Sequence, residues 1–178
     1  MGNKIVLDLE TQKTFQDIGS RSNLADLLVS VCGVYNYATD EYRTYKEDEL
    51  GELSEILGKA EAVIGFNHKM FDLPVLKPYL NGLDINDIKY VDIMEKLQEV
   101  LGYRVSLDKV ATATLGTKKS GHGLLAIEYF RDGEWDKLIK YCLDDVRITR
   151  EVYEFGLKNG YVKFKAGWGD YEVPVDFS

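Results

Sequence analysis

The chain has 178 residues, a formal net charge of −8, 45% hydrophobic residues and 29% charged ones, which fits one ordinary globular domain with a substantial core. The acid excess opposes a strongly basic nucleic-acid-binding surface. Cys32 and Cys142 have no Cys or His partners at zinc-ligand spacing, so buried free thiols in a reducing compartment are expected.

In chain order, NKIVLDLE reads as an apolar strand ending in acids. It holds acids where a signal peptide would be apolar, and Val6 where an acylation signal needs Ser or Thr, so a cytoplasmic location is expected. Thr11 to Asp26 is polar and rich in turn residues, and is read as a long loop over the sheet edge. Leu27 to Tyr37 and Glu41 to Lys46 are β-branched and tyrosine-rich, a hairpin joined by ATD. The apolar run inside it, LLVSVCGVY, is too short to span a bilayer, so no membrane contact is expected. EDELGELSEILGKA places apolar residues at 50, 53, 56 and 57, the spacing of one helical face.

AVIGF then reads as a short buried strand, and MFDLPVLKPYL as helical, with Pro74 in its first turn and Pro78 at its limit. IKYVDIMEKLQEVLG is a strand running into a helix. SLDKVATATLG starts on an N-cap serine, Ser106, and stops at Gly116. A glycine-containing loop, TKKSGHG, precedes a helical patch. The longest helix follows in GEWDKLIKYCLDDVRITREVYEFGLKNG, with Trp135, Leu138, Cys142, Val146, Thr149 and Tyr153 on one stripe. The tail from 158 to 178 is expected to be a short hairpin or extended arm. An initial hairpin followed by alternating strands and helices predicts an α/β domain.

Three stretches concentrate chemistry. Asp8 and Glu10 are two apart on a strand and therefore share a face, where like charges repel unless a cation lies between them. In VIGFNHKMFDLPVL, a strand delivers Asn67, and Phe71-Asp72 follow at a helix start. Each alone also fits a loop turn or a dipole-compatible acid. In YCLDDVRIT, Tyr141 and Asp145 are i and i+4 on one helical face.

In that order, D-x-E, N-x-x-x-F-D and Y-x-x-x-D resemble the DnaQ-like 3′–5′ exonucleases of the ribonuclease-H-like superfamily, in the DEDDy branch. The resemblance covers about Lys4 to Tyr153. It implies a mixed central sheet of about five strands with helices on both faces, in a single domain 1–178 with a catalytic core of about 4–157. It further implies that Asp8, Glu10, Asp72 and Asp145 hold two divalent cations and that Tyr141 orients the attacking water. Four carboxylates without a thiol or imidazole cluster suit Mg²⁺ or Mn²⁺, and two such ions suit in-line phosphoryl displacement. A sister branch carries histidine one residue earlier, where this chain has Lys140.

Thr11, Asn67 and Phe71 match the family positions that hold the terminal nucleotide, and Lys118, Lys119 and His122 are candidates for phosphate contact. Bound cations would offset the four acids, leaving a short grip on one single-stranded 3′ end. DNA or RNA, and a helicase or polymerase partner that supplies basic surface, are left open. So are two alternatives: a catalytically weak nucleic-acid-binding module and a ribonuclease-H-like endonuclease. GHGLLA lacks the strand context of a dinucleotide loop and is read as a flexible loop. Asp92 is read as a helix N-cap before a fifth acid, and Asp144 as a surface ion-pair residue.

Overall fold

The computed structural model describes residues 2–20, 22–117, 123–167 and 169–177. Its five-stranded sheet has the order β3-β2-β1-β4-β5, formed by β1 (Lys4–Thr11), β2 (Val29–Asn36), β3 (Glu41–Lys46), β4 (Ala62–Gly65) and β5 (Tyr90–Asp92). β1–β2 and β2–β3 pair antiparallel, and β1–β4 and β4–β5 pair parallel. This is the expected mixed sheet. β1 lies at its centre and carries Ile5, Leu7 and Leu9 on one face and Val6 on the other, all buried.

On the first face, Ile5, Leu7 and Leu9 pack with Leu50, Leu53 and Leu57 of α2 (Leu50–Gly58), and with Leu73, Val75 and Leu76 at α3 (Asp72–Leu76). Full burial of one such side chain contributes roughly 1.5–3 kcal/mol. On the second face, Val6 and Ile64 meet α4 (Ile93–Leu101), α5 (Leu107–Leu115) and α7 (Trp135–Asn159). Five residues of the α7 stripe, Leu138, Cys142, Val146, Thr149 and Tyr153, are buried.

Local signals end the elements where the sequence placed them. Asp92 caps α4 by accepting from the amides of Met94 and Glu95. Ser106 caps α5, and Gly116 and Gly160 close α5 and α7 in the left-handed region. The tail forms a separate hairpin, β6 (Tyr161–Ala166) with β7 (Gly169–Pro174), which packs Val162, Phe164 and Val173 into the second core.

The segment after β1 departs from the expected long loop. It contains α1 (Phe15–Ile18) and a 3-10 turn at Leu24–Leu27, and β2 begins only at Val29. Thr14 and Asp17 form a reciprocal capping box, in which the Thr14 hydroxyl accepts from the Asp17 amide and the Asp17 carboxylate accepts from the Thr14 amide at 2.7 Å. Four residues are too few to show helical periodicity, so the box alone marked this helix.

Candidate active site

The site forms where β1 outruns its parallel neighbour. β4 pairs with β1 only as far as Val6, leaving the β4-side edge of Asp8 to Thr11 open. The chain leaving β4 folds over that edge and returns Asp72, whose Oδ1 accepts from the Leu9 amide at 3.1 Å. A buried carboxylate thus takes the place of a missing strand partner.

Asp8 and Glu10 project from the Val6 side of β1, towards α7. Gly33 lies opposite Asp8 on β2. A Cβ there would fall 2.9 Å from Cys142 Sγ and 3.0 Å from Val146 Cγ2, so glycine lets α7 sit directly on the sheet. The Cys142 thiol donates to the Asp8 carbonyl at 3.6 Å. One turn of helix places Asp145 beside the two β1 acids. Asp8, Glu10 and Asp145 each offer an oxygen within 4.8 Å of the others.

Oxygens sharing one hard cation at roughly 2.1–2.5 Å lie no more than about 5 Å apart, so this triad fits a single ion. Glu10 is 8% and Asp145 1% exposed. Unit charges about 4 Å apart repel by roughly 4 kcal/mol at an effective dielectric of 20, a cost that a bound cation reverses. The same negative field reaches the thiols: burial first, then Asp8 and Glu10, pushes Cys142 well above the ordinary thiol range. Burial, then Asp72 and Asp8, does the same to Cys32. Both are free, buried cysteines.

A cavity of about 410 Å³ opens on these groups, lined by Asp8, Glu10, Asp72 and Asp145 together with Thr11, Asn67 and Phe71. Four of the five predicted catalytic residues and all three nucleotide-site candidates on the first two motifs therefore share one cleft. Asp72 lies outside the close triad. Tyr141 is buried one turn before Asp145, in a cluster with Val31, Ala126, Leu138 and Cys142, and is not among the described cavity-lining residues. Lys118, Lys119 and His122 lie outside the described residues.

Asn67 adopts φ 67°, a left-handed conformation that asparagine tolerates. Its amide donates to Asp92 Oδ1 at 2.8 Å, and the Lys69 amide to Asp92 Oδ2 at 3.1 Å. Asp92 therefore ties the second motif to the start of α4 while capping that helix. It serves as a brace, as the N-cap reading implied, and does not line the cavity.

The sequence reading missed several lining residues: Lys13, Phe15, Phe66, Leu124 and Ile127. Phe15 stands edge-on to Phe71 at 6.2 Å. Their sole signal was proximity in sequence to a motif, or, for Leu124 and Ile127, to the TKKSGHG stretch that precedes α6 (Gly123–Arg131).

A family model of the RNase_H superfamily matches residues 5–155. The chain belongs to the RNase_H superfamily. Among solved structures it resembles the family B DNA polymerase of the hyperthermophilic archaeon Pyrobaculum calidifontis, with a TM-score of 0.67 at 19% identity over 87% of this chain. The likeness spans 24% of the polymerase chain, and at that identity it establishes the fold. No curated protein matches. Fold, family and acid cluster together fit a nuclease. No described helix is long and apolar enough to cross a membrane.

Proposed function

We propose that the protein is a metal-dependent 3′–5′ exonuclease that releases nucleoside 5′-monophosphates from single-stranded DNA or RNA. The observation that carries this reading is the convergence of Asp8, Glu10 and Asp145 within 4.8 Å, in a cleft that Asp72 also lines. Two divalent cations, Mg²⁺ or Mn²⁺, would supply an activated water and stabilise the leaving oxygen. Asp8, Glu10, Asp72 and Asp145 are the residues to hold them.

Asn67 and Phe71, on the wall formed by the second motif, would receive the terminal sugar and base, with Thr11 across from them on β1. Lys13 is the cation among the described lining residues and would meet the scissile phosphate. Tyr141, on the same helical face as Asp145, would orient the water. The DNA polymerase that shares the fold is compatible with a nucleic-acid substrate.

The decisive experiment digests 5′-labelled single strands with free and blocked 3′ ends in Mg²⁺. An exonuclease shortens the free end stepwise and stalls on the block, whereas internal cuts in the blocked strand would support the endonuclease alternative. Asp145→Asn should abolish digestion. Undiminished digestion by that variant would falsify the assignment.

A further inference from the structure

The acid-rich site leaves open how a polyanionic strand is gripped beyond its last nucleotide. Arg104 lies in the connection between α4 and α5 and is exposed. Its Nη2 donates to Asn67 Oδ1 at 2.5 Å, which holds the guanidinium at the rim of the catalytic cleft. The adjoining groove, about 490 Å³, is lined by Lys69, Met70, Asp92, Glu95, Glu99 and Arg104, among others.

The other charges of this groove are already engaged. Asp92 accepts backbone amides from Asn67, Lys69, Met94 and Glu95. Lys69 pairs with Glu95 at 2.6 Å, and Glu99 faces Lys96 at 3.9 Å. Among the described residues, Arg104 has no carboxylate within ion-pair distance. Its partner among the described residues is a neutral side-chain amide, so its charge is available to an incoming anion. The preceding residue in the chain, Tyr103, is 50% exposed, and its ring stands edge-on to Phe164 at 6.3 Å. An exposed cation and a supported, half-open aromatic ring on consecutive residues suit a phosphate and a stacked base of a single strand.

We infer that Tyr103 and Arg104 form a strand-binding subsite outside the catalytic cleft, in which Arg104 takes a backbone phosphate and Tyr103 a base of the strand leading to the 3′ end. The inference rests on the nuclease reading for its ligand class. Arg104 need not hold Asn67 in place, because the Asn67 backbone is fixed on Asp92 at 2.8 Å.

The test measures anisotropy of a 5′-labelled deoxythymidine oligonucleotide from 50 to 300 mM KCl, with Ca²⁺ in place of Mg²⁺. Arg104→Gln keeps a donor for Asn67 and removes the charge. It should bind roughly tenfold more weakly at low salt, with a log–log salt slope shallower by about 0.7, the value for one phosphate on a single strand. Arg104→Lys should keep the slope. Tyr103→Ala should lose roughly tenfold in affinity with the slope unchanged, as expected for stacking. An unchanged slope in Arg104→Gln, or equal losses in Arg104→Lys and Arg104→Gln, would overturn the inference. Failure of the nuclease reading is separable: the parent protein would then leave single strands intact in Mg²⁺, whatever the salt slopes show.

Discussion

Two adjacent aspartates on α7 meet opposite surroundings. Asp145 is 1% exposed beside the β1 acids. The Asp144 side chain is 30% exposed and lies 3.7 Å from Arg147, the surface ion pair its position implied. Exposed pairs of this kind contribute a few tenths of a kcal/mol. Asp144→Asn should therefore keep nuclease activity within about twofold and shift stability by less than ~0.5 kcal/mol; a large loss of turnover would mean that the helix presents a different face. His68 offers a second residue-level prediction. It is fully buried, with its ring edge-on to Tyr90 at 5.6 Å and its Nδ1 where a Gly65 Cβ would have to sit. Burial lowers its pKa, against the opposing pull of Asp92 and Glu95. The unfolded chain titrates this group near ~6.5, so below that pH it binds a proton that the folded chain refuses. Stability should accordingly be full above ~6.5 and fall as the pH drops below it. The melting temperature of the parent should drop between pH 7.5 and 5.5 more than that of His68→Gln, and equal drops would remove His68 as the cause.

Element contacts seat the site. α7 approaches the sheet because Gly33 has no Cβ, and Cys142, Val146 and Leu143 fill the space one would take. Gly33→Ala should destabilise the fold by about 1–3 kcal/mol through overpacking. It should also weaken Mg²⁺ binding, since α7 carries Asp145 away from Asp8. Calorimetric Mg²⁺ titration tests this, and a lower melting point with unaltered metal affinity would show that α7 seating does not set the triad. Asp92 plays the corresponding part for the second motif. Asp92→Ala strands four backbone amides and deletes a cap, a cost of about 3 kcal/mol. KM for single strands should rise through the released Asn67 loop, and an unchanged KM would separate the brace from substrate binding.

At the scale of the whole molecule, two cores flank one sheet, and the acid cluster sits at the open end of its central strand. Cation binding there stabilises the folded state only. At ten times the dissociation constant it adds about 1.4 kcal/mol, or roughly 3–6 °C of melting temperature for a domain of this size. Mg²⁺ or Mn²⁺ should raise the melting point of the parent by that amount, EDTA should reverse it, and Asp8→Asn should show a much smaller rise. An equal rise in Asp8→Asn would place the ion elsewhere.

Period and punctuation in the sequence alone determined most of the architecture. The strand alternation that puts Asp8 and Glu10 on one face, the i to i+4 relation of Tyr141 and Asp145, and the caps at Asp92, Ser106, Gly116 and Gly160 are all short-range effects of backbone geometry. The α1 turn after β1 escaped that reading because its four residues have a cap but no period. Contacts between distant segments were beyond it: the Asp72 carboxylate on the Leu9 amide, 63 positions away, Arg104 on Asn67 across 37, and the fit of α7 against Gly33. Those depend on where parallel pairing stops and on how closely a helix can approach a sheet, which only the packed tertiary structure decides.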